Sequence, residues 1–157
     1  HVDYAYYLRG LAYFNKGKAS VHRFIPDEIS DESQRDPGSA FQSFQNFSDL
    51  IKKFPESEYI EDAEKRMRHL RNNLAENEVH IANYYMRRGA FIAAANRARY
   101  VIENYDRTPV VPEALILMAK AYRVLEMEDL ASDALRVLKL NYPNHPGIYQ
   151  IEELEIK

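Results

Sequence analysis

The 157-residue sequence predicts an all-α fold of stacked helical hairpins, and three observations carry that prediction. One spacing of small and large apolar residues recurs along the chain in helical steps of three and four. Gly and Pro fall between the recurring segments and are missing altogether from Glu56 to Arg88. Cysteine is absent, so neither disulfides nor thiolate zinc sites shape the fold, and a chain of this length can bury a core without them.

The spacing is clearest over 114–143. Leu115, Met118, Ala119 and Tyr122 share one face of a first helix, and Ala131, Leu135, Leu138 and Pro143 follow on a second. The same frame puts Ile81, Ala82 and Tyr85 on an earlier first helix, with Ala94, Ala98 and Val101 on its partner, so that Tyr105-Asp106 and Tyr142-Pro143 become equivalent ends. A third copy begins with Gly10 and Tyr13, breaks, resumes at Ser43, Phe47 and Leu50, and closes at Phe54-Pro55. This is the spacing of tetratricopeptide-like repeats. Small Ala or Gly lets two antiparallel helices approach, while neighbouring Tyr, Phe and Leu fill the gaps beside them. Such hairpins stack into a short superhelix whose concave surface is suited to grasping a peptide or another domain.

The elements follow in order as one domain, 1–157: repeat one at 1–56 with an inserted loop at 17–39, a long connecting helix at about 57–74, repeat two at 75–108, repeat three at 112–145, and a tail at 146–157. The loop carries Asp27, Glu28, Asp31, Glu32, Arg35 and Asp36 around Phe24-Ile25-Pro26, and reads equally as a functional or a disordered surface segment. Asp36-Pro37 reads as an N-cap followed by Pro at the first helical position. Ser57, with Glu58, Glu61 and Asp62, reads as a cap and an acidic first turn. Ile60, Ala63, Met67, Leu70 and Leu74 continue into Ile81, Ala82 and Tyr85, which predicts one long helix, its first half packed across the previous repeat. Arg88-Gly89 ends that helix with a left-handed glycine, Thr108-Pro109 and Asn144-His145-Pro146 mark turns, and Pro112 opens the next helix.

Charge and motifs narrow the function. With 21 basic against 24 acidic residues, the net charge of −3 argues against a globally positive nucleic-acid binder. No apolar run approaches the ~20 residues of a membrane-spanning helix. The chain starts at His1, directly in a helical pattern, which suggests a piece of something longer. The five histidines do not converge: His69 and His80 share a helix face but lie about three turns, ~16 Å, apart, too far for one metal. Phosphate-cradling loops, nucleophile elbows and dinucleotide fingerprints are absent, so the sequence offers nothing to support an enzyme and calls for no cofactor. Lys65, Arg66, Arg68 and Arg71, and then Arg87, Arg88, Arg97 and Arg99, form local basic clusters with acidic neighbours such as Glu64, Glu76, Glu78 and Glu103. Of the twelve tyrosines, most are read as repeat packing, and Tyr6, Tyr7 and Tyr84 are the candidates for lining a groove.

Together these residues resemble the BamD family, formerly called ComL, over nearly the whole chain. The resemblance rests on Asp3-Tyr4 with Arg9-Gly10-Leu11, on Arg35-Asp36-Pro37 before Ala40 and Phe41, and on Phe54-Pro55-Glu56-Ser57-Glu58-Tyr59 followed by Asp62-Ala63 and Arg66. It continues with Leu74-Ala75, Glu78, Ala82, Tyr84-Tyr85, Arg88-Gly89-Ala90 and Asn96-Arg97. It implies a carboxy-terminal part lacking the first repeats and the lipidated cysteine. It further implies a place on the periplasmic face of the bacterial outer membrane, reached only through that missing lipid anchor.

The implied work is scaffolding: docking to the periplasmic POTRA domain of BamA while outer-membrane protein clients are folded and inserted. The chain is also similar to family members that contact BamC and BamE. The Asn-Arg pair of the family corresponds to Asn96 and Arg97, so Arg97 is the first candidate contact, with Asn96, Arg88, Gly89 and Phe91 carried by proximity. The insertion matches the family only toward its end, and the tail with Glu152, Glu153 and Glu155 has no counterpart. Two other readings stand beside this one, an adaptor holding an extended peptide in its concave groove and, more distantly, a nucleic-acid binder.

Overall fold

A computed structural model of the chain describes residues 1–22 and 37–152. Among these residues the fold is all-α, in seven helices: α1 (Val2–His22), α2 (Pro37–Lys53), α3 (Ile60–Arg87), α4 (Phe91–Asn104), α5 (Val111–Val124), α6 (Glu128–Asn141) and α7 (Gly147–Glu152). The chain divides into two compact units, His1–Leu74 and Ala75–Lys157.

In the first unit α1 and α2 form a hairpin. Pro37, whose missing N–H costs a helix nothing at its first position, begins α2, and Lys52 and Lys53 in the last turn complement the helix dipole. Phe14, Ala40, Phe47, Leu50, Ala63 and Leu70 make the core, so the first half of α3 does pack across this hairpin. Phe47 and Leu50 are fully buried, each contributing about 1.5–3 kcal/mol of transfer free energy. The inserted segment is shorter than the expected 17–39, because α1 runs on to His22 and α2 starts at Pro37. Phe24, Ile25 and the acidic residues from Asp27 to Asp36 lie outside the described residues.

The expected long helix is α3, 28 residues without interruption. It begins at Ile60, later than the expected cap at Ser57. Ser57 instead works in the preceding turn: its hydroxyl donates to Asp3 Oδ2 at 2.8 Å and accepts from the Tyr59 N–H at 3.4 Å. That turn ties the start of α3 back to the start of α1.

The second unit repeats one hairpin. Ala75, Val79 and Ala82 of α3 pack on Ala98 and Val101 of α4 and on Ala114 and Leu117 of α5. Leu115, Ile116 and Ala119 of α5 meet Ala134, Leu135 and Leu138 of α6. The turns repeat as well: the Thr108 N–H donates to the Tyr105 carbonyl at 3.1 Å, and the His145 N–H to the Tyr142 carbonyl at 3.0 Å. Val111 precedes Pro112 as the first residue of α5. The expected tail at 146–157 begins with a helix of its own. After His145-Pro146 it forms α7, which occupies the register of α5 and buries Ile148 and Ile151 against α5 and α6. Lys139 pairs with Glu152 at 2.5 Å, and Arg123 donates to the Ile151 carbonyl. Glu153 and Glu155 lie outside the described residues.

Candidate docking surface

The surface around Arg97 is built on the α3–α4 hairpin. Gly89 has φ 74, and the Ala90 N–H reaches the Tyr85 carbonyl at 3.0 Å while the Gly89 N–H reaches that of Met86 at 3.2 Å. These two bonds are a Schellman cap, which needs a left-handed residue just beyond the helix. A Cβ on Gly89 would meet nothing within 4 Å, so the turn faces outward. Arg88 is exposed beside it, its guanidinium 5.7 Å from the Tyr84 ring centroid.

On α4 the residues separate into two roles. Ala94, Ala95, Ala98 and Val101 are buried, and Asn96, Arg97 and Arg99 stand on the solvent side. Arg97 Nη1 donates to Glu78 Oε2 of α3 at 2.9 Å, with the arginine side chain 45% exposed and the glutamate 17%. Asn96 Oδ1 accepts from Arg99 Nη2 at 2.8 Å. Phe91 is placed differently from its neighbours: it packs beside Ala95, Ala121, Tyr122 and Ala131. Next to Arg99, an open hollow of about 350 Å³ runs between α4 and α6 over α5, with Ile102, Met118, Leu130 and Val137 on its walls.

The tyrosines also divide. Tyr84 is 49% exposed on the hairpin. Tyr6 and Tyr7 belong to the first unit, where both are half-buried. Tyr7 stacks on Tyr59 at 4.7 Å and donates to Asp62 Oδ2 at 2.7 Å, while Tyr6 packs on Phe54 and accepts from Lys53 Nζ at 2.8 Å. Arg66 binds the same carboxylate at 2.5 Å, and this hydrogen bond, chiefly, holds Asp62 below the ordinary carboxylate range. Burial and then the bond to Asp62 push the Tyr7 hydroxyl up. Both rings thus sit in packing and polar contacts of the α1–α3 core.

Among the described residues no group of three or more His, Asp or Glu is placed to hold a metal, and no helix is long and apolar enough to cross a membrane. Two features escaped the sequence reading. Glu78 is present there as an acidic neighbour and as one residue of the resemblance, but not as the partner of Arg97, and the hollow beside Arg99 is not anticipated. The register carried a signal for the first: pairing Tyr105 with Tyr142 also pairs Glu78 with Leu115 and Arg97 with Ala134, so a charged couple replaces an apolar one.

Comparison with known proteins decides the family. The model of the YfiO family, described as outer membrane lipoprotein, matches residues 1–138. The chain belongs to the YfiO family. Relatives include the outer membrane protein assembly factor BamD of Neisseria gonorrhoeae, 42% identical over 146 residues, which cover 93% of this chain and 54% of that protein. The BamD of Xylella fastidiosa strain Temecula1 is 36% identical over 148 residues, 94% of this chain and 50% of that protein. The BamD of Vibrio cholerae is 32% identical over 140 residues, 89% of this chain and 57% of that protein. The chain thus spans about half the length of the YfiO relatives it matches.

Proposed function

We propose that this chain is a non-enzymatic scaffold part of the machinery that assembles β-barrel proteins in the outer membrane, and that it docks through the α3–α4 hairpin to the periplasmic POTRA domain of BamA. The observation that carries the reading is Arg97, matched by resemblance to the family's Asn-Arg pair: it stands half exposed, with one nitrogen on Glu78. Its relatives are named as assembly factors of outer membrane proteins. A guanidinium so placed can grip a partner carboxylate by two parallel hydrogen bonds, which a lysine would not reproduce. Asn96, Arg88 and Gly89 are exposed on the same hairpin, and Phe91 packs beside Ala95, Ala121, Tyr122 and Ala131. The reading places the whole protein on the periplasmic face of the outer membrane, held by a lipid anchor, with BamC, BamE and outer-membrane protein clients as further partners and nucleic acid as none.

Calorimetric titration of the chain with the isolated POTRA domains of its cognate BamA tests this, wild type beside Arg97→Ala. Alanine is the cleaner variant. Arg97→Glu would set a second carboxylate against Glu78 and disturb the hairpin itself, whereas Ala134 already occupies the matching place in the next repeat. Docking that desolvates the pair should make the truncation cost about 2–5 kcal/mol. Equal affinity in the variant, with unchanged circular dichroism, would remove Arg97 from the interface. No binding by either protein would favour the adaptor reading, in which exposed Tyr84 contributes to a peptide-holding groove.

A further inference from the structure

The residue that fixes Arg97 belongs to the same hairpin. Ala75, Val79 and Ala82 of α3 meet Ala98 and Val101 of α4 in an apolar seam. Glu78 and Arg97 flank that seam, each next in sequence to a residue that fills it. Glu78 is 17% exposed and Arg97 45%, so the carboxylate is the more deeply set member and the guanidinium the more open one. Only Nη1 of Arg97 is engaged among the described residues, which leaves the donors on Nε and Nη2 for another acceptor.

Folding does not call for this pair. In the register that matches Tyr105 with Tyr142, its places are taken by Leu115 and Ala134, both buried in one core cluster, so repeat three closes the same seam with apolar contact. A half-exposed ion pair contributes little to stability compared with such packing. A charged couple at this one hairpin points to work outside the fold.

We propose that Glu78 is a positioning residue for docking: it holds Arg97 by one nitrogen and presents the remaining donors to a carboxylate on the partner. The proposal rests on the reading of Arg97 as a docking residue. A long side chain ordered before association loses less freedom on binding. Glu78 need not be displaced, because the edge of the guanidinium that makes two parallel bonds to a carboxylate is the edge it leaves open.

The test is a double-mutant cycle on the intact chain, with affinity for the same POTRA domains read by calorimetry. Glu78→Gln keeps the shape of the side chain, and Glu78→Leu copies repeat three, so both preserve the seam. Glu78→Leu, which leaves Nη1 without an acceptor, should weaken binding about fivefold, the fold-change expected for freeing one long side chain at an interface, and Glu78→Gln, whose amide oxygen still accepts from Nη1, should weaken it less. In an Arg97→Ala background both should have no effect on affinity. Tighter or unchanged binding by Glu78→Leu, while Arg97→Ala weakens it, would overturn the positioning role and leave the docking reading standing. A loss that persists in the Arg97→Ala background would also overturn it, since Glu78 would then act through the fold. Unchanged binding by Arg97→Ala would overturn the docking reading and the positioning role with it.

Discussion

Glu126 has φ 59 in the turn between α5 and α6, where the preceding hairpin has Gly89 at φ 74. The bonding is the same at both: the Met127 N–H reaches the Tyr122 carbonyl at 2.8 Å and the Glu126 N–H that of Arg123 at 2.9 Å. A side chain in this conformation costs roughly 1–2 kcal/mol, while replacing it by glycine loosens the unfolded chain by about 0.4–1 kcal/mol. The first effect wins. Glu126→Gly should stabilise the protein by about 0.5–1 kcal/mol, and Gly89→Ala should destabilise it by about 1 kcal/mol. Urea unfolding at neutral pH measures both, and a lower midpoint for Glu126→Gly would show that the glutamate side chain does something for the turn that its backbone does not reveal. Gly89 was legible in the sequence because an Arg-Gly pair closing a periodic stretch signals a left-handed cap. Glu126 was not, since glutamate carries no such signal and only the repeat register exposes its position.

Hairpins form where one residue is small enough for two helices to touch. At Gly10 the ring of Phe47 comes so close that a Cβ would meet its carbons at 2.4–2.8 Å, and the Ser43 hydroxyl donates to the Gly10 carbonyl at 2.8 Å. Alanine at this place would gain about 0.5–1 kcal/mol of helix preference, but displacing a fully buried ring costs roughly 1–3 kcal/mol. Gly10→Ala should therefore destabilise the protein by about 1–2 kcal/mol, read as a lower thermal midpoint. An unchanged midpoint would mean that α1 and α2 can slide apart without loss. At this scale most of the fold was legible, because the repeats, the α3 helix and the turn residues all declare themselves through period and punctuation. What stayed hidden was α7: a six-residue helix has little stability of its own and exists through Ile148 and Ile151 packing on α5 and α6, a tertiary cause that local pattern does not carry. The start of α3 was misplaced for a related reason, since the Ser57 hydroxyl is drawn to Asp3, a residue far away in sequence.

Two compact units with separate buried cores make a prediction about cooperativity in the whole chain. Phe14, Phe47, Leu50 and Leu70 lie in one cluster, and Leu115, Leu135, Leu138 and Ile151 in another. In repeat proteins each element depends chiefly on its neighbours, so damage stays local when the remaining interfaces are intact. Leu138→Ala removes a fully buried side chain and should cost about 2–5 kcal/mol. Hydrogen exchange should report that loss in the amides of α5, α6 and α7 while α1 and α2 keep their protection. The test is sharpest along α3, whose early residues Ala63 and Leu70 belong to the first core and whose later residues Val79 and Ala82 belong to the second unit. If the units open separately, protection in Leu138→Ala should fall along this helix from its start toward its end, and Phe47→Ala should reverse the gradient. Equal loss at every amide in both variants would mean that α3 couples the two cores into one cooperative unit, and that the division into two describes their packing but not their energetics.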